Sequence, residues 1–427
     1  MELQTAKGVR DIPPEEKALK NKVVNTLTEV FELYGFAPLE TPILERYETL
    51  AAKFAAGEAS DALKETFTLA DQGDRKLGLR FDLTVPLARF MAMNPMLKMP
   101  FKRYEVGQVF RDGPIKLGRV RQFTQCDFDI VGSDSMLADA EILAVVEEGF
   151  KKLGLDIVIK VNSRKLINGI LEQAGISRKE EALISVDKLD KIGKEGVVKE
   201  LKEKGFTTKQ IQIFFSLIEV NDLKKLKSLI KENEALEGIA ELEELFLYCE
   251  MMSIKSAVFD ISLARGLAYY TGTVFEAYLK SKIITSSLAA GGRWDNMIGK
   301  FMDSKDRVAA VGGSFGLIPI MEVMKVEKPN KDNTRKGIIY IVPIDTIKKS
   351  LEIAQKLRQS DIPVSFSLSR KVSKSLEYAN KLGIKYVILI GEDELSRSSV
   401  NIRNMETGLE TNMPINKLTA YLKRELR

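Results

Sequence analysis

Histidine is absent from all 427 residues. That absence removes serine–histidine and cysteine–histidine nucleophile systems, the usual general base, and any metal site built on imidazole. Only two cysteines occur, Cys126 and Cys249. They are too few for a disulfide framework or a four-thiolate zinc site, and a reducing cytoplasm is the expected location. No apolar run reaches the length that spans a bilayer, and the opening segment MELQTAKGVRDIPPEEKALK lacks the apolar stretch of a secretory signal. No membrane partner is expected. Neither sign of charge dominates, since 65 basic against 60 acidic residues leave +5. That balance permits nucleic-acid binding without arguing for it, because such binding depends on local basic patches. Catalysis is left to arginine, carboxylates, tyrosine, lysine, bound metal or the substrates themselves. Arginine-driven phosphate chemistry suits that restriction, because it runs on positioning and charge stabilisation and needs no protein nucleophile.

The length suits two or three domains. KVEKPNKDNTRK, residues 325–336, is nearly free of apolar side chains and reads as an exposed linker. Beyond it, GIIYIVPI, DIPVSFSLS and IKYVILIG read as short buried strands separated by segments with helical spacing, which indicates a compact α/β domain over residues 337–427 with a largely parallel sheet. SVNIRNMETGLETNMPI reads as an added hairpin turning at Glu406–Thr407–Gly408. In the first part, EEKALKNKVVNTLTEVFELYG is an amphipathic helix. KETFTLADQ, KLGLRFDLTV, FKRYEVGQVFR and VRQFTQCDFDIVG then alternate as antiparallel strands do when one face turns to a polar site. Residues 163–256 are helical in pattern and rich in lysine. Strand signals resume at AVFDISLARGLAYYTGTVFEAYL and run through SSLAAGGRWDNMIGKF to VAAVGGSFGLIPIMEVM. The expectation is one antiparallel α+β domain from residues 1–162 and 257–324, interrupted by a helical insertion at 163–256 and followed by the linker and the α/β domain.

Four segments carry polar residues that packing alone would not select. In RFDLTVP, Asp82 and Thr84 lie two apart and share a face of a strand, either as a polar pair for a small ligand or as a turn-forming strand end. In FRDGPIKLGRVRQFTQCDFDI, Arg111 ends one strand and Arg119 and Arg121 begin the return. Gln125, Asp127 and Asp129 alternate along it. A hairpin with arginines at its mouth and acids further down suits polyphosphate at one end and a cation at the other, and a charged solvent-facing hairpin is the equal alternative. In ARGLAYYTG, Arg265 with Tyr269 and Tyr270 forms either a packed tyrosine pair or the lining of a pocket for a planar polar ligand. The glycine clusters AAGGRWD and VGGSFG mark tight turns or close approach, and neither leads into the Gly-Lys-Ser/Thr of a phosphate loop.

Taken in this order, the segments resemble the histidyl-tRNA synthetase branch of the class II aminoacyl-tRNA synthetases over nearly the whole chain. GFAPLETPILE resembles class II motif 1, with Pro42 at its proline. KRYEVGQVFRDGPIKLGRVRQFTQCDFDIVG resembles motif 2. ARGLAYYTGTVFE and LAAGGRWD are similar to the two segments that set the histidine enzymes apart, VGGSFGLIPI stands where motif 3 belongs, and residues 337–427 resemble the anticodon-binding domain.

The resemblance implies a class II antiparallel-sheet catalytic domain with a helical insertion and a C-terminal α/β anticodon-binding domain. It implies an ATP-dependent ligase that makes histidyl-adenylate and transfers histidine to tRNA(His). ATP with Mg²⁺ serves as substrate, with no tightly bound cofactor and no resident metal, and the chain forms a homodimer in the cytoplasm. Arg111 and Arg265 are the implied catalytic arginines at the α-phosphate. Arg119 is placed for the outer phosphates and Phe123 for stacking on adenine. Asp82, Thr84, Gln125 and Asp129 match the set that binds histidine's amino group and ring, joined by Arg111, Arg265, Tyr269 and Tyr270. Three positions depart from the pattern. Gly113 replaces the usual motif 2 acid, with Asp112 beside it; Ala268 replaces an aspartate; Pro319 stands where motif 3 usually has an arginine. The rival reading is a non-enzymatic relative, a histidine sensor or the regulatory subunit of ATP phosphoribosyltransferase. That subunit lacks the anticodon-binding domain and usually loses the arginines present here.

Overall fold

A computed structural model describes residues 3–52, 64–115, 120–186, 188–263, 270–302, 307–327, 337–369 and 371–426. The chain divides into two compact units, the larger holding Leu19–Glu327 and the smaller Lys328–Arg427.

The larger unit is built on an eight-stranded sheet. Its strands are β1 (Ala37–Pro38), β5 (Phe101–Phe110), β6 (Gln122–Val131), β7 (Ile157–Ser163), β8 (Ala257–Phe259), β9 (Thr273–Leu279), β10 (Ala289–Arg293) and β11 (Ala310–Gly316). They lie in the order β1-β5-β6-β11-β10-β9-β7-β8. All pairings are antiparallel except the two edge pairs, β1 with β5 and β7 with β8. A small antiparallel sheet of β2 (Leu44–Arg46), β3 (Thr68–Ala70) and β4 (Lys76–Leu79) stands beside it. Alternation along β6 sets its two faces: Cys126, Phe128 and Ile130 enter the hydrophobic core, and Gln125, Asp127 and Asp129 point the other way into a cleft. On the core side Phe128 stacks on Phe31 with centroids 5.2 Å apart, and Phe315 meets Phe128 at 5.4 Å and Phe150 at 5.2 Å. Phe31 comes from the helix Pro14–Leu33 and Phe150 from the helix Met136–Leu153. The second of these starts where Ser135 Oγ accepts from the Leu137 amide and stops at left-handed Gly154, φ 67°.

Between β7 and β8 six helices run from Arg164 to Met251. The first, Arg164–Gln173, and the last, Asn233–Met251, cross closely because the contact is made of small residues. A Cβ on Gly169 would lie 2.5 Å from Ala235 Cβ, and one on Gly238 would lie 2.7 Å from the Leu166 amide nitrogen.

The smaller unit has its own five-stranded sheet, ordered β13-β12-β14-β15-β16. The strands β12 (Ile339–Pro343), β13 (Val364–Phe366) and β14 (Tyr386–Ile390) are parallel, and β15 (Ser399–Asn404) and β16 (Glu410–Pro414) add an antiparallel hairpin. The hairpin turns through 405–409, where Asn404 Oδ1 accepts from the amides of Glu406 and Thr407 and Gly408 takes φ +74°.

Four local expectations differ from the structure. Asp82 and Thr84 are not on a strand: Thr84 opens the helix Thr84–Met93, and Asp82 Oδ1 accepts from the Val85 amide at 3.0 Å, with Pro86 in the first turn. LIPIMEV is not strand but the start of the helix Leu317–Glu327, which also takes in Lys325–Glu327 of the expected linker. Arg121 precedes β6 instead of beginning it. The strand β7 is not expected from the sequence, where it lies between two long helical patterns, although IVIKVNS is rich in β-branched residues.

Candidate functional site

The cleft of the larger unit has a volume of about 510 Å³. Its floor is the exposed side of β6, β11 and β10. Across the β6–β11 ladder Asp129 faces Gly312, Asp127 faces Ser314, and Gln125 faces Gly316. Long polar side chains on one strand thus stand beside nearly bare backbone on the next, which leaves room for a ligand. The closeness is measurable: a Cβ on Gly312 would sit 1.9 Å from Asp129 Oδ1 and 2.8 Å from the Phe128 carbonyl oxygen. Glycine at 312 is the condition for Asp129 to lie flat on the sheet. The paired glycines 291 and 313 serve the opposite face, where a Cβ on either would strike the Phe275 ring.

The acids are buried, with Asp127 4% and Asp129 3% exposed. Burial pushes both carboxyls up, Asp127 to about 7 and Asp129 to about 6. The Arg103 guanidinium opposes that rise at both, and neighbouring carboxylates reinforce it. Arg103 is fully buried on β5, with Nη2 2.8 Å from Asp129 Oδ2 and donating to the Leu83 carbonyl at 3.2 Å. Its Nη1 stands 3.8 Å from Glu105, which is itself paired with buried Arg80 at 2.8 Å and accepts from the Thr41 hydroxyl. Trp294 adds an indole N–H to Asp129 Oδ1 at 3.2 Å. A layer of buried ion pairs therefore lies alongside the acidic end of the cleft, on the same face of the sheet.

The other end is cationic and aromatic. Arg111 follows β5, its guanidinium 4.3 Å from the Phe81 ring centroid and 5.0 Å from that of Phe123, and its Nε donates to the Phe81 carbonyl. Behind it Arg121 pairs with Asp112 at 2.9 Å, and the space above Gly113 is held by Glu65, whose Oε1 would lie 2.6 Å from a Cβ there.

Of the residues expected from the sequence, Asp82, Thr84, Arg111, Phe123, Gln125, Asp129 and Tyr270 line this one cleft, as does Pro319. Arg119, Arg265, Tyr269 and Ala268 lie outside the described residues. The hairpin is not a charged solvent-facing one, since its acids are buried. The sequence places Asp127 on the same polar face as Gln125 and Asp129, and the structure puts it in the cleft with them. The sequence does not single out Trp294, Ser314 or Arg103. Arg103 and Trp294 carry no local signal, because their roles depend on strands remote in sequence.

A family model described as histidyl-tRNA synthetase matches residues 8–320, and one described as an anticodon-binding domain matches residues 338–425. The chain belongs to the histidyl-tRNA synthetase family. It is 44% identical to a histidine–tRNA ligase 1 of Bacillus cereus across 99% of this chain and all of that one, and 38% identical to a histidine–tRNA ligase of Helicobacter pylori across 95% and 94%. Among solved structures it is similar to a histidyl-tRNA synthetase from Nostoc, with a TM-score of 0.86 at 29% identity and full coverage of both chains. A Bacillus halodurans structure described as an ATP phosphoribosyltransferase regulatory subunit/histidyl-tRNA synthetase shares the fold at TM-score 0.76 and 22% identity, over 91% of this chain and 98% of that one. The fold is the class II one of this family, a large antiparallel sheet followed by an anticodon-binding domain with its own sheet. Members of the family are ATP-dependent aminoacyl-tRNA ligases.

Proposed function

We propose that the cleft binds histidine and ATP side by side and carries out histidine–tRNA ligation on the residues that line it. The observation that carries this reading is the polarity of the cleft: Arg111 and Phe123 at one end, half-buried Gln125 with buried Asp127 and Asp129 at the other. A zwitterionic amino acid with a basic ring fits in one direction only. Its ammonium goes to Asp82 and Thr84, its ring to Gln125, Asp129 and Tyr270, and its carboxylate to Arg111. Phe123 stacks on adenine. Arg265, Arg119 and Tyr269 take the α-phosphate, the outer phosphates and the pocket wall respectively. Histidine's carboxylate oxygen then attacks the α-phosphorus in line, the bond to the bridging oxygen breaks, and pyrophosphate leaves. Arg111 stabilises charge on the pentavalent phosphorus without moving a proton. The terminal hydroxyl of tRNA(His) attacks the adenylate carbonyl, and AMP departs.

Among the described residues no carboxylates or thiols gather into a metal-holding set. Magnesium is placed with the phosphates of ATP, where it would neutralise the leaving pyrophosphate. We assign residues 1–162 and 257–327 to the catalytic domain, 163–256 to an insertion, 328–336 to a linker and 337–427 to anticodon binding. The protein works as a cytoplasmic homodimer. No helix among the described residues is long and apolar enough to cross a membrane. The smaller unit and Arg111 favour the ligase over a regulatory subunit that binds histidine without charging it.

The test is histidine-dependent exchange of labelled pyrophosphate into ATP, with the other amino acids as controls. The wild-type chain exchanges with histidine alone, and Arg111→Ala lowers the rate by about 100-fold or more, as loss of a charge-stabilising donor does. Histidine binding without exchange would establish the sensor reading instead.

A further inference from the structure

Among the described residues the buried charges beside the cleft do not balance, and Asp127 is where the deficit falls. Arg80 is taken by Glu105, and Arg103 by Asp129, both at 2.8 Å. Asp127 has no basic side chain of the described residues within ion-pair distance, and its buried Oδ1 accepts no hydrogen bond. Among the described residues its polar neighbours are Arg103 and Glu105 from β5, Gln125 and Asp129 from β6 itself, Ser314 from β11, and Asp82 from the turn before the Thr84–Met93 helix. Apart from Arg103 these neighbours are acidic or neutral. A carboxylate so enclosed needs either a proton or a cation from the ligand.

Spacing decides which cation. Asp127 and Asp129 lie two residues apart on one strand face, about 6.6 Å along the strand. Carboxylates at that spacing on one face can splay to either side of a five-membered ring, each accepting an N–H···O bond of about 2.9 Å. This step rests on the histidine reading of the cleft and deepens it. We propose that Asp127 is a specificity-determining residue: with Asp129 it flanks the imidazole and accepts the second ring N–H, so that the complex retains one proton shared between ring and acid.

The consequence is proton linkage. Free Asp127 titrates at about 7, and a free imidazole at about 6.5. Above pH 7 neither free partner carries the shared proton, so binding draws it from solvent, and affinity falls about tenfold per pH unit. Below pH 6 both partners carry one, and binding releases the surplus. Affinity for histidine therefore peaks between these values.

Isothermal titration of the full chain with histidine at pH 8, in two buffers of different ionisation enthalpy, counts the protons. The wild type should take up close to one proton per histidine. Asp127→Asn should take up close to none and bind with a dissociation constant nearly flat from pH 7 to 8.5. The histidine ammonium contributes equally to both proteins and cancels in the comparison. Absence of uptake by the wild type overturns the inference even if the variant fails to fold, as does uptake undiminished in Asp127→Asn. A wild type that does not bind histidine overturns the proposed function instead.

Discussion

Arg103→Met isolates the buried cation beside the cleft. The guanidinium is wholly enclosed and stands 2.8 Å from Asp129 Oδ2. At an effective dielectric near 20, that separation corresponds to about 6 kcal/mol of gross attraction. Removing one partner of a buried pair costs about 3–5 kcal/mol, because the remaining charge is left uncompensated. Methionine fills similar space, so the loss is electrostatic more than steric. The pH dependence follows from the sign. Asp127 and Asp129 already have folded values of about 7 and about 6, above the ordinary 3.8. Their contribution to stability is therefore greatest below pH 3.8 and is lost as pH rises toward those folded values. Without Arg103, which holds both values down, they rise further, so the extra penalty develops at still higher pH. At pH 5.5 the acids of the folded variant are mostly protonated and little of it remains. The chain has one tryptophan, Trp294, buried in the larger unit and hydrogen bonded to Asp129, so its fluorescence reports this layer. Urea unfolding followed at that residue should show a loss of about 3–5 kcal/mol at pH 8, and at least about 1 kcal/mol less at pH 5.5. A loss below about 1 kcal/mol at pH 8, or an equal loss at both pH values, would refute the claim that Arg103 compensates these acids.

Two further substitutions probe the same floor. Gly312→Ala places a Cβ 1.9 Å from Asp129 Oδ1, so the carboxylate must move. Overpacking of this kind costs about 1–3 kcal/mol, and in steady-state kinetics the KM for histidine should rise at least tenfold while that for ATP changes little. Trp294→Phe keeps the bulk but removes the indole N–H from Asp129. Hydrogen bonds to charged groups are worth about 1.5–3 kcal/mol, so histidine binding by calorimetry should weaken by about tenfold or more; an unchanged constant would show that the indole only packs.

The sequence was most legible where chemistry is local. The alternation Gln125–Asp127–Asp129 put three polar groups on one face, and the structure puts all three in the cleft. The Asn404–Gly408 turn was legible for the same reason, because side-chain oxygens close it within four residues. Asp82 and Thr84 were misread because a short polar pattern before a proline suits a strand end and a helix cap equally; only the bond from the Val85 amide decides. Arg103 and Trp294 were illegible in principle. The first touches Asp129 across a hairpin, and the second reaches it from a strand end more than 160 residues away. What identifies such residues is the partner that burial forces on them, and no local window contains both members.

The buried layer also explains how a binding site can be strongly acidic without repelling its own parts. Asp127 and Asp129 lie buried beside one another with Asp82 nearby, an arrangement that raises both their carboxyls. Arg80 and Arg103 stand alongside, and Glu105 between them keeps either cation from being left in excess. Among the described residues these two cations are taken by Glu105 and Asp129, and Asp127, on the cleft side, has no paired cation. A network balanced within itself would hold the acids equally well, yet it would have nothing to gain from a ligand's proton. Leaving Asp127 short of a cation makes the free pocket less stable and makes a basic ring the remedy, so a neutral side chain of the same size leaves a buried carboxylate uncompensated. On this reasoning discrimination among amino acids is supplied less by the shape of the cleft than by the charge its floor withholds.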